Sequence, residues 1–181
     1  VKHGYPVTIF EATSKPGGAL QWTIPQYRLP KDVVADDIQD IIDLGIELKL
    51  NSPINAENSL ADLKTQGYKA IYLAIGAVKS RGLPIPGADL AGVHLALDFL
   101  RNTIEGKQAA PGKRVVVIGG GNVAIDVART ARRLGASEVQ LVCLESRPEM
   151  PAHSWEIEEA EEEGIQVNNS WGPKEILGAS G

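Results

Sequence analysis

Residues 113–126 read Lys-Arg-Val-Val-Val-Ile-Gly-Gly-Gly-Asn-Val-Ala-Ile-Asp: a β-branched apolar run, three consecutive glycines, then residues at helical spacing. The helix after Gly121 is predicted to carry Val123, Ala124, Val127, Ala128, Ala131 and Leu134 on one face and to stop at Gly135, before another apolar run at 139–144. Strand, helix and strand within about thirty residues make a βαβ unit, which predicts parallel strands. Gly119, Gly121 and Ala124 fit G-x-G-x-x-G/A. The first small residue permits the tight turn, the second lets a pyrophosphate approach the backbone, and the third lets helix and strand pack closely. The predicted phosphate cradle is therefore Gly119, Gly120, Gly121, Asn122, Val123 and Ala124, at the helix end whose dipole favours anions. The bland alternative is a glycine turn that only connects two elements.

In this class of site the end of the second strand sets the choice of nicotinamide nucleotide. An acid there binds the ribose 2′-OH, and a basic residue accepts a 2′-phosphate. Glu145 stands at that end and Arg147 two residues on, so NADH is favoured over NADPH, with Arg147 still able to reach a phosphate. Asn122 reads equally as a local cap or a cofactor contact. Asp126, placed in the first turn, reads as a partner of the helix dipole or a nicotinamide contact. Arg129, Arg132 and Arg133 are expected on a solvated face.

Elsewhere strands and helices alternate. Residues 5–11 form a short strand ending in Glu11, residues 16–30 an ordered loop, 31–44 a helix and 46–50 a strand. A short helix at 60–66 precedes the almost wholly apolar run 70–75, expected to be a central strand covered on both faces and closed by Gly76. Residues 81–87, with two prolines and two glycines, are the candidate linker. The domains are accordingly 1–82 and 83–181. Further on come a helix at 95–104, a buried strand at 114–118, an acidic helix at 155–163 and a strand from 165. The fold class is α/β, with a Rossmann-like parallel-sheet NAD(P)-binding domain beside part of a second Rossmann-like dinucleotide-binding domain. Glu11 has the position of a second-strand acid that holds an adenosine ribose, or else is a solvent-exposed strand end. Its glycine turn is expected about twenty residues upstream, before Val1, so the chain reads as a piece of a longer protein.

Charge and composition narrow the function classes. A net charge of −5 gives no footprint for nucleic acid, and no apolar run approaches the length of a bilayer span. A cytoplasmic protein is expected. One cysteine, Cys143, leaves no pair for a disulfide or CxxC centre and is expected to be buried. His3, His94 and His153 share no metal-ligand spacing, so no metal site and no catalytic side chain are assigned. The glutamates of 156–163 read as a solvated face, and Trp22, Trp155 and Trp171 as packing residues.

The segments Val-Thr-Ile-Phe-Glu-Ala at 7–12, Pro-Gly-Gly at 16–18, Ile-Pro-Gln-Tyr-Arg-Leu-Pro at 24–30, Ala-Ile-Tyr-Leu-Ala-Ile-Gly-Ala at 70–77, residues 119–129 and Glu-Met-Pro-Ala at 149–152 together resemble the small subunit of glutamate synthase and its relatives. The resemblance implies a flavoprotein with two dinucleotide-binding domains, in which hydride passes from NAD(P)H to FAD and electrons go on to an iron-sulfur or other acceptor on a partner domain or subunit. It implies that Glu11 meets the FAD ribose, that Gly17 and Gly18 lie beside FAD, that Gly76 passes the flavin, and that Arg28 faces the flavin region or the surface. NADPH-using members carry two arginines where this chain has Leu144 and Glu145. The alternative function is a nucleotide-binding fragment that holds NAD(P) and is catalytically inert alone.

Overall fold

The structure, a computed structural model, describes residues 1–107 and 111–178. The chain divides between Ala77 and Val78 into two units. In the first, strands β1 (Thr8–Phe10) and β2 (Glu47–Lys49) pair in parallel, with Thr8 opposite Glu47 and Phe10 opposite Lys49. Helix α2 (Lys31–Ile42) connects them and buries Val34. Helix α3 (Leu60–Thr65) starts at a capping box: the Ser59 hydroxyl accepts from the Asp62 N–H, and the Asp62 carboxylate accepts from the Ser59 N–H.

Two sequence expectations fail in this unit. The expected loop at 16–30 contains helix α1 (Gly18–Trp22), because packing overrides weak local propensity there. A Cβ on Gly17 would stand 3.0 Å from Ile38 Cδ1 and 3.4 Å from Val34 Cγ1, so bare backbone lies directly on α2. The Lys31 ammonium then ties the following turn down by donating to the carbonyls of Leu20 and Ile24 at 2.5 and 2.6 Å. The apolar run 70–75 is not a strand. Among the described residues β1 and β2 form the only ladder of this unit, and a strand exists only where its N–H and C=O groups find a partner edge. Tyr72 is 92% exposed and Ile75 74%.

The second unit holds helix α4 (Ala96–Ile104), strand β3 (Arg114–Ile118), helix α5 (Asn122–Arg133), strand β4 (Glu138–Val142), helix α6 (Ser154–Glu162) and strand β5 (Gln166–Asn168). The three strands form one parallel sheet in the order β3-β4-β5, with Val117 opposite Leu141 and Leu141 opposite Val167. Phe99, Leu100, Val117, Ile125, Leu141 and Ile157 bring side chains from α4, β3, α5, β4 and α6 into a single core. Strand β3 is not buried throughout: Val117 faces this core, whereas Val116 on the opposite face is 62% exposed. The alternation is that of a sheet covered by helices on one side. The apolar face of α5 is likewise shifted from expectation. Ile125 is fully buried and Val123 is 45% exposed, because the helix opens at Asn122 with Val123 turned out of the core. Among the described residues no helix is long and apolar enough to cross a membrane.

Candidate dinucleotide-binding site

The glycine turn sits between the end of β3 and the start of α5. Gly119 has φ +140, a conformation closed to ordinary side chains, and its N–H donates to Val142 O at 2.9 Å, so the ladder runs into the turn. Gly120 is buried against the end of β4. A Cβ there would meet Glu145 Oε2 at 2.9 Å and Cys143 Cβ at 3.1 Å. Gly121 is the N-cap of α5 and faces open space, with no atom within 4 Å of an added Cβ. Ala124 stands 3.4 Å from the Cβ position of Gly119, the close helix-to-turn approach that a third small residue allows. The first amides of a helix lack intrahelical partners, and α5 is twelve residues long, so its open N-terminus fits a pyrophosphate.

A second segment buttresses this turn. The Ala152 N–H donates to Gly120 O at 3.1 Å, and the His153 N–H donates to Asn122 Oδ1 at 3.1 Å. Asn122 is therefore the first residue of α5 rather than its cap, and its side chain secures the start of α6. This role of Met150-Pro151-Ala152-His153 escaped the sequence reading, since it depends on a contact across thirty residues. Val123 is exposed beside the turn. Trp155 is 50% exposed and its ring stacks on His153 at 5.9 Å between centroids, and Trp171 is 64% exposed.

Glu145 is half-buried and its carboxylate lies over Gly120. Arg147 opens a short 3₁₀ turn (Arg147–Glu149) and forms a forked pair with Glu161, Nη1 to Oε1 at 2.5 Å and Nη2 to Oε2 at 2.7 Å. Hydrogen bonding to Glu161 raises the Arg147 pKa and lowers that of Glu161. Cys143 is buried beneath the turn, and burial pushes its thiol up.

The polar faces of α5 and α6 are more closely engaged than expected. Asp126 lies in the second turn of α5 and is buried. Arg129 is buried too, donating to Glu159 at 2.5 Å and to Glu163 at 2.8 Å, while Arg133 reaches Glu163 at 2.7 Å. Arg132 donates to the carbonyls of Glu163, Ala136 and Ser137. Burial pushes the Glu163 carboxyl up, but hydrogen bonds from Arg133 and Arg129 and their charges bring it below its ordinary value. Glu156 has no exposed surface. The available signal was spacing: Arg129 and Arg133 stand i,i+4 on one helix, as Glu159 and Glu163 do on the other.

In the first unit, Glu11 follows β1 and its Oε1 accepts from both the N–H and the hydroxyl of Thr13, at 2.8 and 2.7 Å. Trp22 Nε1 donates to the same hydroxyl at 3.1 Å. Gly17 is taken up by packing on α2, whereas Gly18 and Gly76 face open space. Arg28 is half-buried in the turn after Pro25. Among the described residues no group of three or more His, Cys, Asp or Glu could hold a metal ion.

Residues 2–181 match the pyridine nucleotide-disulphide oxidoreductase family. The chain belongs to that family. It is 39% identical over 181 residues to the NADP(+)-dependent formate dehydrogenase subunit beta of Moorella thermoacetica, covering 98% of this chain and 26% of that protein. It is 34% identical over 175 residues to the glutamate synthase [NADPH] small chain of Azospirillum brasilense, covering 90% of this chain and 36% of that one, which bears out the resemblance seen in the sequence. Among solved structures, Mycobacterium tuberculosis FprA in complex with NADPH superposes with a TM-score of 0.74 at 25% identity, over 87% of this chain and 40% of FprA. The α/β reading with parallel sheets thus holds. The chain spans about a quarter of the length of the first of these relatives.

Proposed function

We propose that this chain is the nicotinamide-nucleotide-binding part of an NAD(P)H-dependent flavin oxidoreductase, with the dinucleotide on the second unit and FAD on the first. The observation that carries the reading is the glycine turn itself: a positive-φ Gly119, a buried Gly120 and an open Gly121 at the head of a twelve-residue helix. Gly121 and the amides of Asn122 and Val123 would hold the pyrophosphate, the Ala124 N–H being already donated to Gly121 O at 2.9 Å. Glu145 would hold the adenosine ribose, and the Met150–His153 segment keeps the turn rigid through Gly120 and Asn122. When bound, these cofactors supply hydride transfer from nicotinamide to flavin, and the protein contributes binding, orientation and exclusion of water. No side-chain acid or base is needed for that step.

In the first unit, Glu11 and the open edges at Gly18 and Gly76 are the residues offered to FAD. Electrons would then pass to a partner domain or subunit, iron-sulfur or otherwise. The relatives bear the names subunit beta and small chain, which supports a partner. Glu145 and the pairing of Arg147 with Glu161 favour NADH, although both relatives carry NADP(H) in their names.

Titration of the purified protein with NADH and NADPH, followed by nucleotide fluorescence, tests the reading. Saturable binding of either is expected, tighter for NADH, and Glu145→Ala should narrow the difference. Binding of neither would overturn the assignment. Tighter NADPH binding would overturn the cofactor preference alone. Visible flavin absorbance in the purified protein supports FAD on the first unit. A colourless protein that binds NADH would instead support a dinucleotide-holding module that is inert alone.

A further inference from the structure

Arg147 stands two residues beyond Glu145, where a guanidinium can meet a phosphate, yet its fork is already filled. Nη1 and Nη2 donate in parallel to the two oxygens of Glu161 at 2.5 and 2.7 Å, across from the 3₁₀ turn to the last turn of α6. Glu158, one turn earlier on α6, attracts the same guanidinium and lines with it a cavity of about 360 Å³ between the 3₁₀ turn and the helix. The fourth carboxylate nearby, Glu149, accepts from Ser146 Oγ. Glu145 lies over Gly120 on the turn side.

A guanidinium is planar, and the edge that grips a carboxylate with two parallel N–H groups is the edge that would grip a phosphate. It cannot face both at once. We propose that Glu161 is a specificity-determining residue of the dinucleotide site: by occupying the Arg147 fork it withholds that fork from a 2′-phosphate. The proposal rests on the dinucleotide reading of the second unit. Discrimination against NADPH then has two sources. Glu145 repels the extra phosphate at the turn, and Glu161, a residue that touches no nucleotide, removes the cation that would compensate. Both partners of the pair are about four-tenths exposed, 42% for Arg147 and 41% for Glu161. A pair that open holds its geometry by at most about fivefold in an equilibrium constant, so it acts as a releasable latch.

The test uses ADP-ribose and 2′-phospho-ADP-ribose as probes, which differ only in the phosphate and carry no redox chemistry. Their affinities are measured by calorimetry for the unmodified protein, Glu161→Gln, and the double variant Arg147→Ala with Glu161→Gln. Glu161→Gln should tighten 2′-phospho-ADP-ribose binding about three- to fivefold and leave ADP-ribose unchanged. The double variant should lose that gain. An unchanged ratio of the two affinities in Glu161→Gln would overturn the latch while leaving the dinucleotide site intact. A gain that persists without Arg147 would also overturn it, since loss of one negative charge would then account for the effect. Binding of neither probe to any variant would remove the dinucleotide reading and the latch with it.

Discussion

The two units each contain a parallel strand pair joined through a helix and a glutamate beyond the end of one strand, β1 in the first and β4 in the second, yet they use these parts differently. In the second unit α5 lies on β3 and β4, Ile125 and Leu141 are fully buried, and the strand-end Glu145 rests on a glycine of the turn. In the first unit α2 buries Val34 while Val33 and Ile41 stay nearly half exposed, and Glu11 spends its oxygen on Thr13. The lesson is that a nucleotide site of this kind is only as defined as the core behind its turn. The second unit holds its turn by a ladder bond into Gly119, an amide onto Gly120 and a side chain from Asn122. In the first unit, the described contacts of Gly17 serve helix packing instead.

The largest expected effect tests that core directly. Ile125 has no exposed surface and sits on the packing face of α5 against the sheet, so Ile125→Ala should cost about 2–5 kcal/mol, as such deletions do in tight cores. Val34→Ala in the first unit removes a smaller side chain from a thinner layer and should cost less. Denaturant unfolding of both variants checks the order. A reversed order would mean that the first unit carries the better-packed core.

Next in size is the clamp between α5 and α6. Arg129 is buried, but Glu159 and Glu163 are 45% and 22% exposed, so water reduces the penalty of breaking the pairs. Arg129→Met should cost about 1–2 kcal/mol. The clamp also sets an acid limb. Glu163 in the clamp, and Glu161 in its separate pair with Arg147, have folded-state pKa values below their ordinary value of 4.5. Their stabilisation is therefore complete above about pH 4.5 and is lost as pH falls through the lower folded values. Thermal unfolding from pH 7 to 3 should show stability falling below about pH 4.5, and Arg129→Met should make that fall shallower. A limb unaltered by the substitution would place its origin in other carboxylates.

How much of this was legible in the sequence depends on the range of the interaction. Gly119, Gly121 and Ala124 announce a turn through their own spacing, and the helix and strand on either side are local in origin. The parallel order of β3, β4 and β5 follows from the helices between them. The apolar run at 70–75 looked as strand-like as 114–118, but a strand needs an edge to pair with, and composition does not reveal whether one is there. Gly120 reads as a spacer between two signature glycines. Its need to be glycine comes from Glu145 and Cys143, which reach it across the sheet. The same holds for Arg129 and Glu156, buried by a helix that lies thirty residues away in the chain.

The paired glycines separate packing from binding. Gly120→Ala would push a Cβ to 2.9 Å from Glu145 Oε2 and should lower stability by about 1 kcal/mol as the carboxylate gives way. Gly121→Ala meets open space, so the unfolding midpoint should stay put while NADH affinity falls about tenfold, the methyl standing where pyrophosphate approaches. Equal NADH affinity in Gly121→Ala and the unmodified protein would sink the placement of the pyrophosphate there.

The smallest expected effect bears on the contrast between units most sharply. Tyr72 is 92% exposed in an unpaired apolar run, and a substitution at such a position normally moves stability by less than about 0.5 kcal/mol. Tyr72→Ser in the present structure should therefore be nearly silent in denaturant unfolding, whereas Val117→Ser, in the paired strand β3 and only 7% exposed, should not. Backbone amide exchange gives the same contrast without mutation. Amides of 71–75 should exchange rapidly for want of a ladder, and those of β3 and β4 slowly, at the rate set by opening of the core. Slow exchange across 71–75, together with a loss above about 1 kcal/mol in Tyr72→Ser, would mean that this run finds a strand edge in solution, and the first unit would then rank with the second as a covered sheet.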